Sequence, residues 1–205
     1  MCIRDSVFTY DYLILAVGSA SHFYGVRGAA EHAYELKTLE QAIVLRNHIL
    51  RRFERALCET DAQKRGQMLT FTVVGGGPTG IEFAGALAEL IRGPLVNDYP
   101  ALNFGEVHIL LLEAADRLLT GLPERLHTYA LKRLQRQGVE VRLASAVSQI
   151  TSQTVSLKGG IVIPPEYGNP QALEDIKNIL ITGRFFGRIL LPFEVGKHAG
   201  QGFRG

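Results

Sequence analysis

Short apolar runs along the chain predict the strands of a parallel sheet. Residues 10–19 and 107–113 are nearly continuous apolar runs, which is the pattern of strands buried on both faces. Residues 69–74 and 139–143 are rich in strand-forming side chains, and residues 178–183 are the candidate for one more strand. The predicted fold is therefore α/β, provided that helices separate these runs.

Three other segments carry apolar residues at helical spacing. The first begins after Thr38, which forms a predicted capping box with Gln41, and extends to about Cys58. The second covers residues 81–91, and the third covers residues 123–137, starting with a proline and stopped by a glycine. Helices and strands thus alternate as β-α-β-α-β over about 75 residues, which is one half of a doubly wound, Rossmann-like sheet.

Two further segments complete the predicted organisation. Residues 59–66 are polar and aperiodic, and they are predicted to be a linker. Strand-forming residues alternate with turns over residues 147–163, which predicts a small antiparallel meander. The residues after 165 show no clear period and stay unassigned.

Composition excludes several classes of protein. The 205 residues carry 22 basic and 20 acidic side chains, a net charge of +2, and 46% of them are apolar. This is the composition of a globular protein, and the weak charge gives no reason to expect a nucleic-acid partner. Two cysteines are too few for a disulfide framework, and no signal peptide or spanning segment is predicted, so we expect a soluble, cytoplasmic protein. No metal site is expected, because these histidines lack ligand spacing: His22, His32, His48, His108, His127 and His198.

A glycine motif between a predicted strand and a predicted helix is the clearest indication of a binding function. In this G-x-G-x-x-G pattern, Gly75 allows a tight turn, Gly77 lets the backbone approach a pyrophosphate, and Gly80 allows close packing of helix and strand. The start of the helix offers backbone N–H groups to phosphates. The expected pyrophosphate loop consists of Gly75, Gly76, Gly77, Pro78, Thr79 and Gly80.

Glu113 is the expected ribose ligand, because it stands at the end of the second predicted strand of this unit. It lies 33 residues after Gly80 (113 − 80), against about 20 in the usual motif, and an insertion around residues 93–105 explains the excess. A carboxylate there repels a 2′-phosphate, so NAD(H) is favoured over NADP(H). Arg117 lies close enough in sequence to weaken that preference.

Glu82 has two interpretations. It lies in the first turn of the helix after the glycine motif, where a carboxylate is stabilised by the helix dipole. Alternatively, Glu82 is a catalytic residue beside the nicotinamide, where it orients the ring or handles a proton.

The motif residues resemble a known family. Residues 73–85 are similar to the nicotinamide-binding motif of flavoproteins with two dinucleotide sites, the pyridine nucleotide-disulfide oxidoreductase-like superfamily, and among them the type II NADH dehydrogenases. Residues 10–19 resemble the strand that returns to the FAD domain, with Val17 where threonine is commoner. Residues 36–42 resemble the start of the connecting helix, and residues 112–119 resemble the second strand of the NADH domain.

The resemblance implies an NADH:quinone oxidoreductase in which NADH gives hydride to FAD and two electrons then pass to quinone. It implies that the glycine loop holds the NADH pyrophosphate, that Glu113 holds the ribose and Glu82 contacts the nicotinamide side, and that Gly18 and Ser19 lie near FAD. It further implies a peripheral protein on the cytoplasmic face of the membrane and is compatible with a homodimer.

The resemblance covers residues 7–163 and leaves out family features. The first FAD fingerprint and the C-terminal membrane-docking segments have no counterpart, so we expect a fragment that binds NADH with little hydride transfer. Two alternatives stay open, a ferredoxin or disulfide reductase type of enzyme and a non-catalytic NAD(H)-binding module. The predicted divisions are a FAD-domain remnant at 1–37, a connecting helix and linker at 38–67, the NAD(H)-binding domain at 68–164 and the unassigned tail at 165–205.

Overall fold

The computed structural model describes residues 11–12, 14, 22–152, 154–159, 162–163 and 179–181. The strand expected over residues 10–19 therefore falls largely outside the described residues, and so does most of the tail. The helices and strands belong to one unit, residues 21–186.

The elements follow the predicted alternation closely. The helices are α1 (Ala29–His32), α2 (Leu39–Cys58), α3 (Ala62–Met68), α4 (Pro78–Leu90), α5 (Val96–Asp98) and α6 (Glu124–Arg136). A π-helical turn at Ile91–Leu95 links α4 to α5, and a 3-10 turn at Phe104–Glu106 precedes the next strand. The strands are β1 (Tyr34–Glu35), β2 (Thr70–Val74), β3 (His108–Leu112), β4 (Val139–Arg142), β5 (Val147–Ile150), β6 (Val155–Leu157), β7 (Val162–Ile163) and β8 (Ile179–Ile181).

Two sheets are formed by the described residues. Five parallel strands lie in the order β1-β8-β2-β3-β4, which confirms the α/β class and the Rossmann-like β-α-β-α-β unit. The candidate strand near the C-terminus is confirmed as β8, and it lies between β1 and β2. Strands β5, β6 and β7 form the predicted antiparallel meander.

The parallel sheet is covered on both faces, because successive side chains of its strands point to opposite sides. Phe71, Val73, Ile109 and Leu111 are buried in one core with side chains of α2, α4 and α6. Leu110 and Leu112 are buried in a second core with side chains of the meander. The layers are therefore helices, parallel sheet and meander.

Helix α2 begins as its sequence predicts. The Thr38 hydroxyl accepts the Gln41 N–H at 3.2 Å, and the Gln41 side chain accepts the Thr38 N–H at 3.1 Å, so the capping box is confirmed. The buried face of α2 carries Leu45, Ile49 and Phe53, which belong to the same core as β2 and β3. This helix therefore packs against the parallel sheet.

The polar segment 59–66 differs from the expected aperiodic linker. It contains most of α3, which begins after Asp61. The Asp61 carboxylate accepts the N–H groups of Gln63 and Lys64 at 2.9 and 3.2 Å, and this N-cap stabilises a short helix that has no apolar period. Capping chemistry rather than periodicity is the signal that identifies α3.

Across the described ranges, none of the helices combines the length and the apolar character needed to cross a membrane.

Candidate functional site

The turn from β2 to α4 presents backbone N–H groups at the carboxyl edge of the parallel sheet. Gly75 has φ of 115°, a left-handed conformation that disfavours any side chain, and its N–H donates to the Leu112 carbonyl at 2.8 Å. Gly77 is the N-cap of α4 and Pro78 is its first residue. Among the residues that the structure describes, no side chain caps this helix, so its first turn is suited to an anionic ligand.

Gly76 and Gly77 have very different surroundings. A Cβ atom added at Gly76 would lie 2.6 Å from Leu118 Cδ2 and 2.9 Å from Glu113 Oε2. A Cβ atom added at Gly77 would meet no atom of the described residues within 4 Å. Gly76 is therefore required by packing inside the protein, while the space over Gly77 is available for a ligand.

Glu113 is tied directly to the glycine loop. Its carboxylate accepts the Gly76 N–H through Oε2 at 2.5 Å and the Ala115 N–H through Oε1 at 2.8 Å. Its own backbone is held by β4 and the residues after it, because its N–H donates to Arg142 and its carbonyl accepts from Ser145. The side chain is 4% exposed, so these contacts fix a buried carboxylate at the end of β3.

A cavity of about 370 Å³ lies beside this carboxylate. It is at the carboxyl ends of β2 and β3, on the side of the sheet that the meander covers, and it falls within the size range of cofactor pockets. Residues 23–26, 145–148 and 158 contribute to its wall. The sequence did not identify them as site residues, because they come together only through long-range folding. The lining residues are Phe23, Tyr24, Gly25, Val26, Val74, Gly75, Leu112, Glu113, Ala114, Ser145, Ala146, Val147, Ser148 and Lys158.

Glu82 lies apart from this cavity. It is exposed on α4 and lines an open groove of about 400 Å³ between α4 and α6, together with Glu89, Tyr129 and Arg133. Within the described residues, the structure thus brings Gly75, Gly76 and Gly77 together with Glu113 but places Glu82 outside that group. Gly18 and Ser19 lie outside the described residues.

The loop after Glu113 carries an ion pair that the sequence did not predict. Arg117 Nε donates to Asp116 Oδ1 at 2.9 Å, and Arg117 NH2 donates to Asp116 Oδ2 at 3.0 Å. The hydrogen bond and charge of Arg117 lower the pKa of Asp116, with a smaller contribution from His127. The same bond and the charge of Asp116 raise the pKa of Arg117, and the charge of Glu124 adds to this effect.

Comparison with known proteins gives a consistent picture. Residues 4–169 match the family described as pyridine nucleotide-disulphide oxidoreductase. A mitochondrial external alternative NAD(P)H-ubiquinone oxidoreductase B2 of Arabidopsis thaliana is 40% identical over 162 residues, covering 78% of this chain and 28% of the relative. The type II NADH:quinone oxidoreductase Ndh of Mycobacterium tuberculosis is 37% identical over 149 residues, covering 73% of this chain and 32% of the relative.

A solved structure shares the fold. The structure of NDH2 from Plasmodium falciparum in complex with NADH superimposes with a TM-score of 0.71 at 22% identity, over 86% of this chain and 35% of that chain. The chain therefore spans about a quarter to a third of the length of the proteins it matches.

Proposed function

The chain belongs to the pyridine nucleotide-disulphide oxidoreductase family, and we propose that it is the NADH-binding portion of a FAD-dependent NADH:quinone oxidoreductase. The two sequence relatives are named as NAD(P)H-ubiquinone and NADH:quinone oxidoreductases, which supports this acceptor class. Their names include both NADH and NAD(P)H, so the preferred nucleotide depends on the residues of this chain.

The glycine loop fits the pyrophosphate of NADH. The N-terminus of α4 carries partial positive charge and N–H groups that lack partners within the helix. The open space over Gly77 allows a phosphate to approach the backbone. In this proposal the loop from Gly75 to Gly80, with Pro78 and Thr79 in its first helical turn, binds the pyrophosphate.

The observation that carries the proposal is the hydrogen bond between the Glu113 carboxylate and the Gly76 N–H. It joins the acid at the end of β3 to the pyrophosphate loop, so that one nucleotide can span both. A buried, oriented carboxylate accepts hydrogen bonds from ribose hydroxyls and repels a 2′-phosphate. We therefore assign the adenosine ribose to Glu113 and NADH as the nucleotide.

The whole oxidoreductase would also need a flavin, a contact to the nicotinamide and access to a quinone. When bound, FAD would supply the hydride acceptor for the nicotinamide and the two-electron donor for a quinone. Glu82 is proposed to contact the nicotinamide side, since its exposed position on α4 leaves it accessible to another part of the protein. Gly18 and Ser19 are proposed near FAD. Because quinones dissolve in membranes, we propose that the whole protein works as a peripheral enzyme on the cytoplasmic membrane face.

Substitution of Glu113 tests the nucleotide site. We expect Glu113→Ala to weaken NADH binding by about 1 to 3 kcal/mol, the value of hydrogen bonds to a charged group. Titration calorimetry measures the affinity. Glu89→Ala is the control, since it removes an exposed carboxylate from the last turn of α4, far from the glycine loop at the start of that helix. Unchanged NADH affinity in Glu113→Ala would show that the ribose site is elsewhere.

The visible absorption spectrum tests the redox part. Oxidised flavin bands that bleach on addition of NADH would support an oxidoreductase assembled by this chain. NADH binding by a colourless chain that also fails to take up added FAD would leave hydride transfer to the whole oxidoreductase and is equally the result expected of a nucleotide-binding module without redox chemistry.

A further inference from the structure

The loop that follows Glu113 carries a cation, Arg117, four residues after the proposed ribose ligand. Leu118 is 1% exposed, and its side chain packs against Gly76, whose N–H binds the Glu113 carboxylate. The Leu119 N–H donates to the Gly76 carbonyl at 2.8 Å, which holds the same loop at its other end. Arg117 directly precedes Leu118, so its backbone lies next to a residue that packs on the glycine loop.

Such an arginine is the residue type that binds a 2′-phosphate. A guanidinium presents a planar set of donors that matches phosphate oxygens, and an arginine near the ribose accommodates NADP(H) in this class of fold. On sequence grounds Arg117 therefore argues against strict selectivity for NADH. In the structure, the Nε–H and one N–H of NH2 are engaged by the carboxylate of the adjacent Asp116.

We propose that Asp116 is a specificity-determining residue, which holds Arg117 in a two-point ion pair and so withholds it from the 2′-phosphate of NADPH. Arg117 uses both Nε and NH2 on the two carboxylate oxygens of Asp116, at 2.9 and 3.0 Å. A phosphate that used the Nε–NH2 edge would have to displace Asp116 from it, and one that used the NH1–NH2 edge would meet a guanidinium whose charge Asp116 already offsets. This inference rests on the proposed nucleotide site and adds to it a second, independent barrier to NADPH.

The barrier is modest because the pair is exposed. The side chains of Arg117 and Asp116 are 52% and 71% exposed, and exposed ion pairs are weak. Asp116 is thus expected to change the ratio of NADH to NADPH affinity by a limited factor. The buried Glu113 is expected to account for most of the preference for NADH. The Glu124 carboxylate adds negative charge around Arg117, and His127 partly compensates the charge of Asp116.

The test compares NADH and NADPH affinities of the full chain by titration calorimetry. Asp116→Asn keeps the shape of the side chain and removes its charge, so we expect NADPH to bind about three- to tenfold more tightly, with NADH affinity changed by less than about twofold. Asp98→Asn is the control for net charge, since Asp98 is an exposed residue of α5, which precedes β3 and so lies toward the amino edge of the sheet.

The double variant Asp116→Asn with Arg117→Gln separates release of the arginine from simple loss of a repulsive charge. The gain in NADPH affinity must disappear in the double variant if Arg117 is the group released. A gain that persists there, or an unchanged ratio of the two affinities in Asp116→Asn, would overturn the inference while leaving the NADH site intact. A chain that binds neither nucleotide would overturn the proposed function and the inference together.

Discussion

Replacement by alanine should affect stability at Gly76 and nucleotide binding at Gly77, although the two residues are adjacent. At Gly76 the added methyl would overlap Leu118 Cδ2 at 2.6 Å and the Glu113 carboxylate at 2.9 Å. At Gly77 it would enter open space, and φ of −77° is accessible to alanine. We therefore predict that Gly76→Ala destabilises the fold and that Gly77→Ala impairs only nucleotide binding.

The magnitude follows from the contacts at Gly76. Forcing extra volume against the buried Leu118 costs about 1 to 3 kcal/mol, and weakening the hydrogen bond to the Glu113 carboxylate adds to this. We expect a loss of about 2 to 4 kcal/mol in the free energy of unfolding, which lowers Tm by about 5 to 15 °C for a chain of this size. In Gly77→Ala, alanine is a poorer N-cap than glycine, but it also makes the unfolded chain less flexible. These effects oppose each other, so the free energy of unfolding should change by no more than about 1 kcal/mol.

Chemical denaturation and titration with NADH distinguish these outcomes. Gly77→Ala should weaken NADH binding by about tenfold or more, because its methyl group blocks phosphate from charge-assisted hydrogen bonds to the loop. A Gly76→Ala protein as stable as the unmodified chain would refute the packing argument. Unchanged NADH affinity in a folded Gly77→Ala protein would refute the placement of the pyrophosphate.

Three further predictions concern the scaffold of the site. Thr38→Ala removes the capping box with Gln41 and should lower the free energy of unfolding by about 1 kcal/mol in a urea titration. Leu111→Ala empties a fully buried position in β3 and should cost about 2 to 5 kcal/mol, and a smaller loss would show that the core around β3 relaxes. Glu106→Gln breaks the ion pair with Arg65, whose hydrogen bond lowers the pKa of Glu106 below its ordinary 4.5. The stabilisation by this ion pair is present above the unfolded-state pKa of Glu106 and is lost as pH falls through its folded-state pKa. The difference in Tm between the unmodified chain and Glu106→Gln should therefore be clear at neutral pH and shrink below about pH 4.5. A difference that stays constant with pH would contradict this cause.

Local sequence signals predicted the central part of the fold well. Helices α2, α4 and α6 and strands β2, β3 and β4 occur within a few residues of their expected bounds. Each has a signal contained within its own length, such as a capping residue, an apolar period or a buried run. The glycine turn was equally predictable, because the motif stands directly between a strand and a helix.

Features that depend on long-range contacts were not predictable in this way. The two residues of β1 are too few to show a period, and β1 exists through its pairing with β8, about 145 residues later in the chain. The cavity wall combines Phe23–Val26 with Ser145–Ser148, which have no common sequence pattern. The need for glycine at position 76 also depends on Leu118 and Glu113, far along the chain.

Glu113 shows why topology is a better guide than spacing to an acid of this kind. The interval from the motif is long because a π-helical turn, α5 and a 3-10 turn intervene between α4 and β3. Despite these turns, β2 and β3 pair in an unbroken parallel register, from Thr70 with His108 to Val74 with Leu112. The residues that follow the last pair are Gly75 and Glu113, which therefore emerge together at the carboxyl edge whatever the length of the connection. An acid at that position is expected to face the glycine loop in any member of this fold whose two strands keep this register.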